Sequence, residues 1–194
     1  MNIFYILYLF FESFILNAFP LFGAPFTTLS LPVLISIGVN LQNIVYVSII
    51  LGLGAATGKL FMYTIGIFLS KPLKENKNML FIKKISKIKY FNLAFFFITI
   101  LPFLPLDDFF YLSFGIEKLN VIKYYIISII GKISKSFIEV YIQIFLLKEI
   151  SYITKINLLN LSIYSSILFL LLSIIFFKFD WEKYINKWLK MKLE

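Results

Sequence analysis

Residues 100–115, ILPFLPLDDFFYLSFG, place two prolines and two adjacent aspartates inside an apolar run that extends from Phe91 to Ile116. The run is long enough to span a membrane. However, Pro102 and Pro105 each remove a backbone donor, and Asp107 and Asp108 carry charge, so a simple spanning helix does not fit. In hydrocarbon, broken backbone survives only where protein or a water-filled cavity satisfies it. The stretch therefore reads as a helix, a break at 102–108 and a second short helix: a re-entrant hairpin over 91–116 with a polar tip deep in the membrane.

Composition agrees with a membrane setting. Of 194 residues, 60% are hydrophobic and 20% aromatic, and the mean hydropathy is +0.90. These values exclude an ordinary soluble core and give a single integral membrane domain, 1–194. The net charge of +9 comes from 19 lysines against 10 acids, with the lysines concentrated in two blocks, 71–89 and 178–192. That is positive-inside patterning, which places both blocks in the cytoplasm, and it suits anionic lipid better than nucleic acid. Cysteine and histidine are absent, which removes disulfides, thiol catalysis and His-based metal sites. There is also no P-loop and no nucleophile elbow, so no enzyme activity, cofactor or metal is expected.

Taken in order, 1–39 repeats the opening pattern. An apolar helix carrying Glu12 runs into Pro20, Gly23, Pro25 and Pro32, then an apolar return too short to span, which gives a first re-entrant hairpin. Residues 44–69 follow as a proline-free transmembrane helix with one charge, Lys59; its Gly54 and Gly58, four apart, form a helix-packing seam. The seven lysines of 71–89 alternate with apolar residues at helical spacing and predict a cytoplasmic amphipathic segment on the membrane surface. After the second hairpin, 124–147 is a transmembrane helix bearing Gly131, Lys132, Lys135 and Glu139. The last three share one face, with Lys135 and Glu139 in i,i+4 register. A plain transmembrane helix, 158–177, leads to a basic tail, 178–194, whose Trp181 and Trp188 suit the interface.

The halves repeat, with Gly58 and Lys59 echoed by Gly131 and Lys132. Charge bias gives them opposite orientation: the first hairpin enters from outside and the second from inside. The expected architecture is thus all-α: an inverted repeat of re-entrant hairpin plus transmembrane helix, closed by a C-terminal transmembrane helix.

The segments PFTTLSLPVLISIGVNLQNIVYVSIILGLGAATGKLFMYTIG and LPFLPLDDFFYLSFGIEKLNVIKYYIISIIGKISKSFIEVYI, about half of the chain, resemble the DedA or VTT-domain (SNARE-associated) superfamily of membrane proteins. The resemblance implies two facing re-entrant hairpins and a role in moving lipids or lipid-linked phosphates across the bilayer. Bacterial DedA-type members tend to carry a glutamate in the first tip, where this chain has Thr27 and Thr28. They tend to have a basic residue in the second tip, where it has Asp107 and Asp108, and often an acid where it has Lys59. The proton-coupled mechanism proposed for those relatives therefore does not transfer residue by residue.

Charges at the bilayer centre cost about 2.5–3.5 kcal/mol each on insertion scales, so Asp107 and Asp108 need partners. Lys59, Lys132 and Lys135 are the cations available, and with the aspartates they form the expected headgroup-binding set. Alternatively, these groups only neutralise one another, with one aspartate capping the half-helix after Pro105. The leading expectation is a scramblase or flippase in the cell membrane, with lipids, especially anionic headgroups, as partners and possible homo-oligomerisation. The competing readings are a proton- or ion-coupled small-solute carrier and a non-transport membrane scaffold.

Overall fold

The computed structural model describes residues 2–18, 26–73, 85–101 and 106–178. Pro20, Pro25, Pro102 and Pro105, the expected tip breaks, lie outside these residues, as do most of 71–89 and the tail beyond Lys178. Among the described residues the regular secondary structure is all helix, with no strand. The elements are α1 (Ile3–Ala18), α2 (Phe26–Leu29), α3 (Leu31–Ile37), α4 (Leu41–Phe68), α5 (Ser70–Leu73), α6 (Phe91–Ile100), α7 (Leu106–Ile116), α8 (Val121–Thr154) and α9 (Leu158–Lys178).

Among the described residues, α4 is the one helix long and apolar enough to cross a membrane; the stretch Leu158–Leu168 of α9 counts as a shorter apolar helix. The span expected at 124–147 is part of the longer α8, which has 34 residues. At about 1.5 Å per residue it reaches roughly 51 Å. Its limits come from capping: Asn120 accepts the amide of Ile122 at the start, and Lys155 closes the end in a left-handed conformation. Pro32, expected as a break, sits in the first turn of α3 after a one-residue interruption at Ser30. There its missing donor costs little.

Local signals recur at a constant offset of 80 residues. Asn40 caps α4 as Asn120 caps α8. Gly38 and Lys118, each two residues earlier, take positive φ, +97° and +51°. α2 begins at Phe26 and α7 at Leu106. At this offset Lys59 falls at the position of Glu139, and Lys132 lies two helical turns earlier on α8.

Packing crosses between the halves. α4 runs against α1, α7 and α8, whereas α8 also contacts α6 and the short α2. Small residues make the closest approaches. A Cβ on Gly58 would come within 2.6 Å of the Phe14 carbonyl oxygen, and one on Gly54 would meet the Phe10 carbonyl; Gly131 lies against Thr99 of α6. Gly66 and Gly115 face each other across the α4–α7 seam. Ser13 Oγ donates to the Leu51 carbonyl at 2.6 Å and adds a polar tie between α1 and α4. Aromatic rings fix α7 on its other side: Phe91 and Phe95 of α6 surround Phe114, which stacks on Tyr124 of α8 at 4.1 Å.

Because the obstacles at Gly58 are backbone atoms, Gly58→Val should force α1 away from α4. Overpacking of this kind costs about 1–3 kcal/mol, read as a lowered melting temperature of the detergent-solubilised chain. An unchanged melting temperature would mean that α1 does not hold this close approach.

Candidate functional site

The backbone just described brings three lysines and three carboxylates into the interior. Lys59 comes from the middle of α4, Asp107 and Asp108 from the first turn of α7, and Lys132, Lys135 and Glu139 from one face of α8. Asp107 is the centre: its carboxylate lies 2.6 Å from Lys132 Nζ and 3.7 Å from Lys59 Nζ. Lys59 also pairs with Asp108, and Lys135 pairs with Glu139 at 3.9 Å in the expected i,i+4 register. Both aspartates are thus engaged by lysines. The Asp107, Lys59 and Lys132 side chains are each 2% exposed, against 13% for Asp108.

The anchoring of this group follows from the fold. Tyr111, one turn after Asp107 on α7, donates to Ser128 Oγ at 2.8 Å and holds α7 against α8 beside the ion pairs. Close contact between Gly66 and Gly115 brings α7 near enough to α4 for the aspartates to reach Lys59. Gly131 permits the same approach of α6 to α8, one residue before Lys132.

A second polar group, absent from the sequence-based expectation, forms where α2 meets α8. Thr27 donates to Glu139 Oε2 at 3.0 Å and accepts from Gln143 Nε2 at 3.1 Å. Ser166 of α9 donates to the Thr28 carbonyl at 3.0 Å. The arrangement mirrors the first: a residue at the start of one half's short helix meets a charge on the other half's long helix. Thr27 and Asp107 are 80 residues apart, as are Lys59 and Glu139. Read from Asn40 and Asn120, the same offset would have pointed to Glu139.

Glu12 joins neither group through any described contact; its carboxylate oxygens are buried without a hydrogen-bond partner among the described residues. No cluster of three or more metal-ligating His, Cys, Asp or Glu side chains occurs among the described residues. Chemically, the assembly offers ammonium groups to an anion and carboxylates to a cation, with hydroxyls between them.

Comparisons of the chain with models of known protein families, with curated proteins and with solved structures find no match.

Proposed function

We propose that the chain is a multi-pass cell-membrane transporter of the DedA/VTT type that moves a phospholipid or lipid-linked phosphate across the bilayer. The observation that carries this reading is the buried ion network, in which Lys59, Lys132 and Lys135 are held inside an apolar helical chain next to carboxylates. Charged groups at membrane depth are costly and mark pathways for polar cargo. Here a phosphate can take the place of a carboxylate on a lysine, so the headgroup trades one ion pair for another while its acyl chains stay in lipid.

In this reading, 1–39 and 91–116 are re-entrant hairpins of opposite orientation, and α4, α8 and α9 cross the membrane with both lysine blocks in the cytoplasm. The 80-residue recurrence of caps and the crosswise contacts of α7 with α4 and α2 with α8 support it. The direct test is reconstitution of the purified chain in vesicles with a headgroup-labelled phospholipid. Protein-dependent exchange between leaflets is expected, and no exchange with any lipid would defeat the reading. Uptake of a water-soluble solute driven by a pH gradient, without lipid exchange, would favour a proton-coupled carrier instead.

Topology provides a separate expectation, made accessible by the absence of native cysteine. Cysteines placed singly at Asn92 and Asn120 should label from the same, cytoplasmic side, together with one at Lys77. Labelling of Asn92→Cys and Asn120→Cys from opposite sides would show that 91–116 crosses the membrane, and the inverted repeat would fail.

A further inference from the structure

The ion network is neutral: Lys59, Lys132 and Lys135 balance Asp107, Asp108 and Glu139. A phosphate anion entering it leaves one negative charge in excess in a low-dielectric interior, which is unfavourable unless a cation enters too. The α2–α8 group has the composition of a site for that cation. Thr28 Oγ1, Ser136 Oγ and Gln143 Oε1 are buried without hydrogen-bond partners among the described residues. Thr28 and Ser136 are 1% and 0% exposed. Ser136, Glu139 and Gln143, spaced by three and four residues, share one face of α8, and Thr27 joins that face to the start of α2 through Glu139 and Gln143. All three unpartnered atoms are oxygens, and the one carboxylate beside them matches a single positive charge rather than a divalent ion. Hard cations take such oxygen ligands, and broken-helix regions of transporters bind sodium in this way.

We propose that Thr28, Ser136, Glu139 and Gln143 bind a small monovalent metal cation of the sodium class, which loads together with the headgroup phosphate. The coupling rests on the lipid-phosphate reading above; the cation site itself does not. Lys135, 3.9 Å from Glu139, is the charge that faces this site. A cation on Glu139 displaces its ammonium, which then turns to the phosphate. Cargo and ion together leave the interior neutral.

The test uses the purified full-length chain in detergent, melted across a sodium chloride series held at constant ionic strength with choline chloride. A saturable rise in melting temperature is expected. Ser136→Ala and Thr28→Val, both close in size to the native residues, should each weaken the apparent sodium affinity about tenfold or more. Equal melting in sodium and choline would mean that water fills the site, and the proposal fails. It also fails if sodium stabilises both variants as it does the wild type, or if acidification stabilises the chain while sodium does not. In vesicles, an inward sodium gradient should accelerate exchange of a labelled anionic phospholipid. Exchange indifferent to sodium would overturn the coupling. Sodium binding without any lipid exchange would leave the site standing and sink the lipid-transport reading.

Discussion

Asp107→Asn should be the most destabilising single neutralisation in the ion network, costing about 3–5 kcal/mol, the range found when one partner of a buried ion pair is removed. The reason is geometric. Asp107 is 2.6 Å from Lys132 and 3.7 Å from Lys59, and no other described carboxylate pairs with Lys132. The amide keeps the shape and leaves Lys132 buried without its counter-charge. Asp108→Asn should cost less, because Lys59 keeps Asp107 and because Asp108 is the more exposed acid. Adding Lys132→Met to Asp107→Asn should recover most of the loss, giving a coupling energy well above the about 0.3–0.5 kcal/mol seen for independent sites. The measurement is a double-mutant cycle of denaturant unfolding in detergent. Additive losses would show that the two side chains do not share a pair in the folded chain.

Lys132→Met should leave a folded chain that moves lipid far more slowly than the wild type. Methionine fills the apolar stem of lysine and loses only the ammonium, and Asp107 retains Lys59, so the stability loss is smaller than for Asp107→Asn. Transport fails for a different reason: the variant removes the cation that faces Asp107 at the closest distance and with it the group a phosphate would meet on entering. A charge-assisted contact of this kind is worth about 1.5–3 kcal/mol, which corresponds to a loss of roughly one to two orders of magnitude in exchange rate. Headgroup-labelled lipid exchange, normalised to folded protein, reads it. Exchange at the wild-type rate would remove Lys132 from the path.

Much of the site was legible in the sequence, for a physical reason: two aspartates in an apolar run demand cations, and the apolar helices of this chain offer few. Lys59, Lys132 and Lys135 were those few. Helical spacing alone identified the Lys135–Glu139 pair. The Thr27 contact with Glu139 was not legible, because a threonine in an apolar segment carries no charge that demands a partner, and its partner lies 112 residues away. Gly66 belongs to the run of small residues on α4, but its partner Gly115 is silent for a similar reason: a glycine shows its purpose only beside the backbone it admits. The conspicuous Gly-Lys pairs at 58–59 and 131–132 suggest a different offset, 73 residues. Helix position is set by caps, and Asn40 and Asn120 fix the offset at 80. The length of α8 was underestimated because Lys148 and Glu149 look like a turn in a hydropathy reading. They remain helical on an exposed end, and the chain stops only at the left-handed Lys155.

The central claim is that the buried charges carry a headgroup and do not merely hold the fold together. Lipid exchange by the Asp107→Asn/Lys132→Met double variant in vesicles tests it most directly, because that protein regains a paired interior without regaining the ammonium. The account predicts a stable chain that exchanges labelled phospholipid at least about tenfold more slowly than the wild type. Exchange at the wild-type rate would show that the lysine serves only as a counter-ion, and would contradict it.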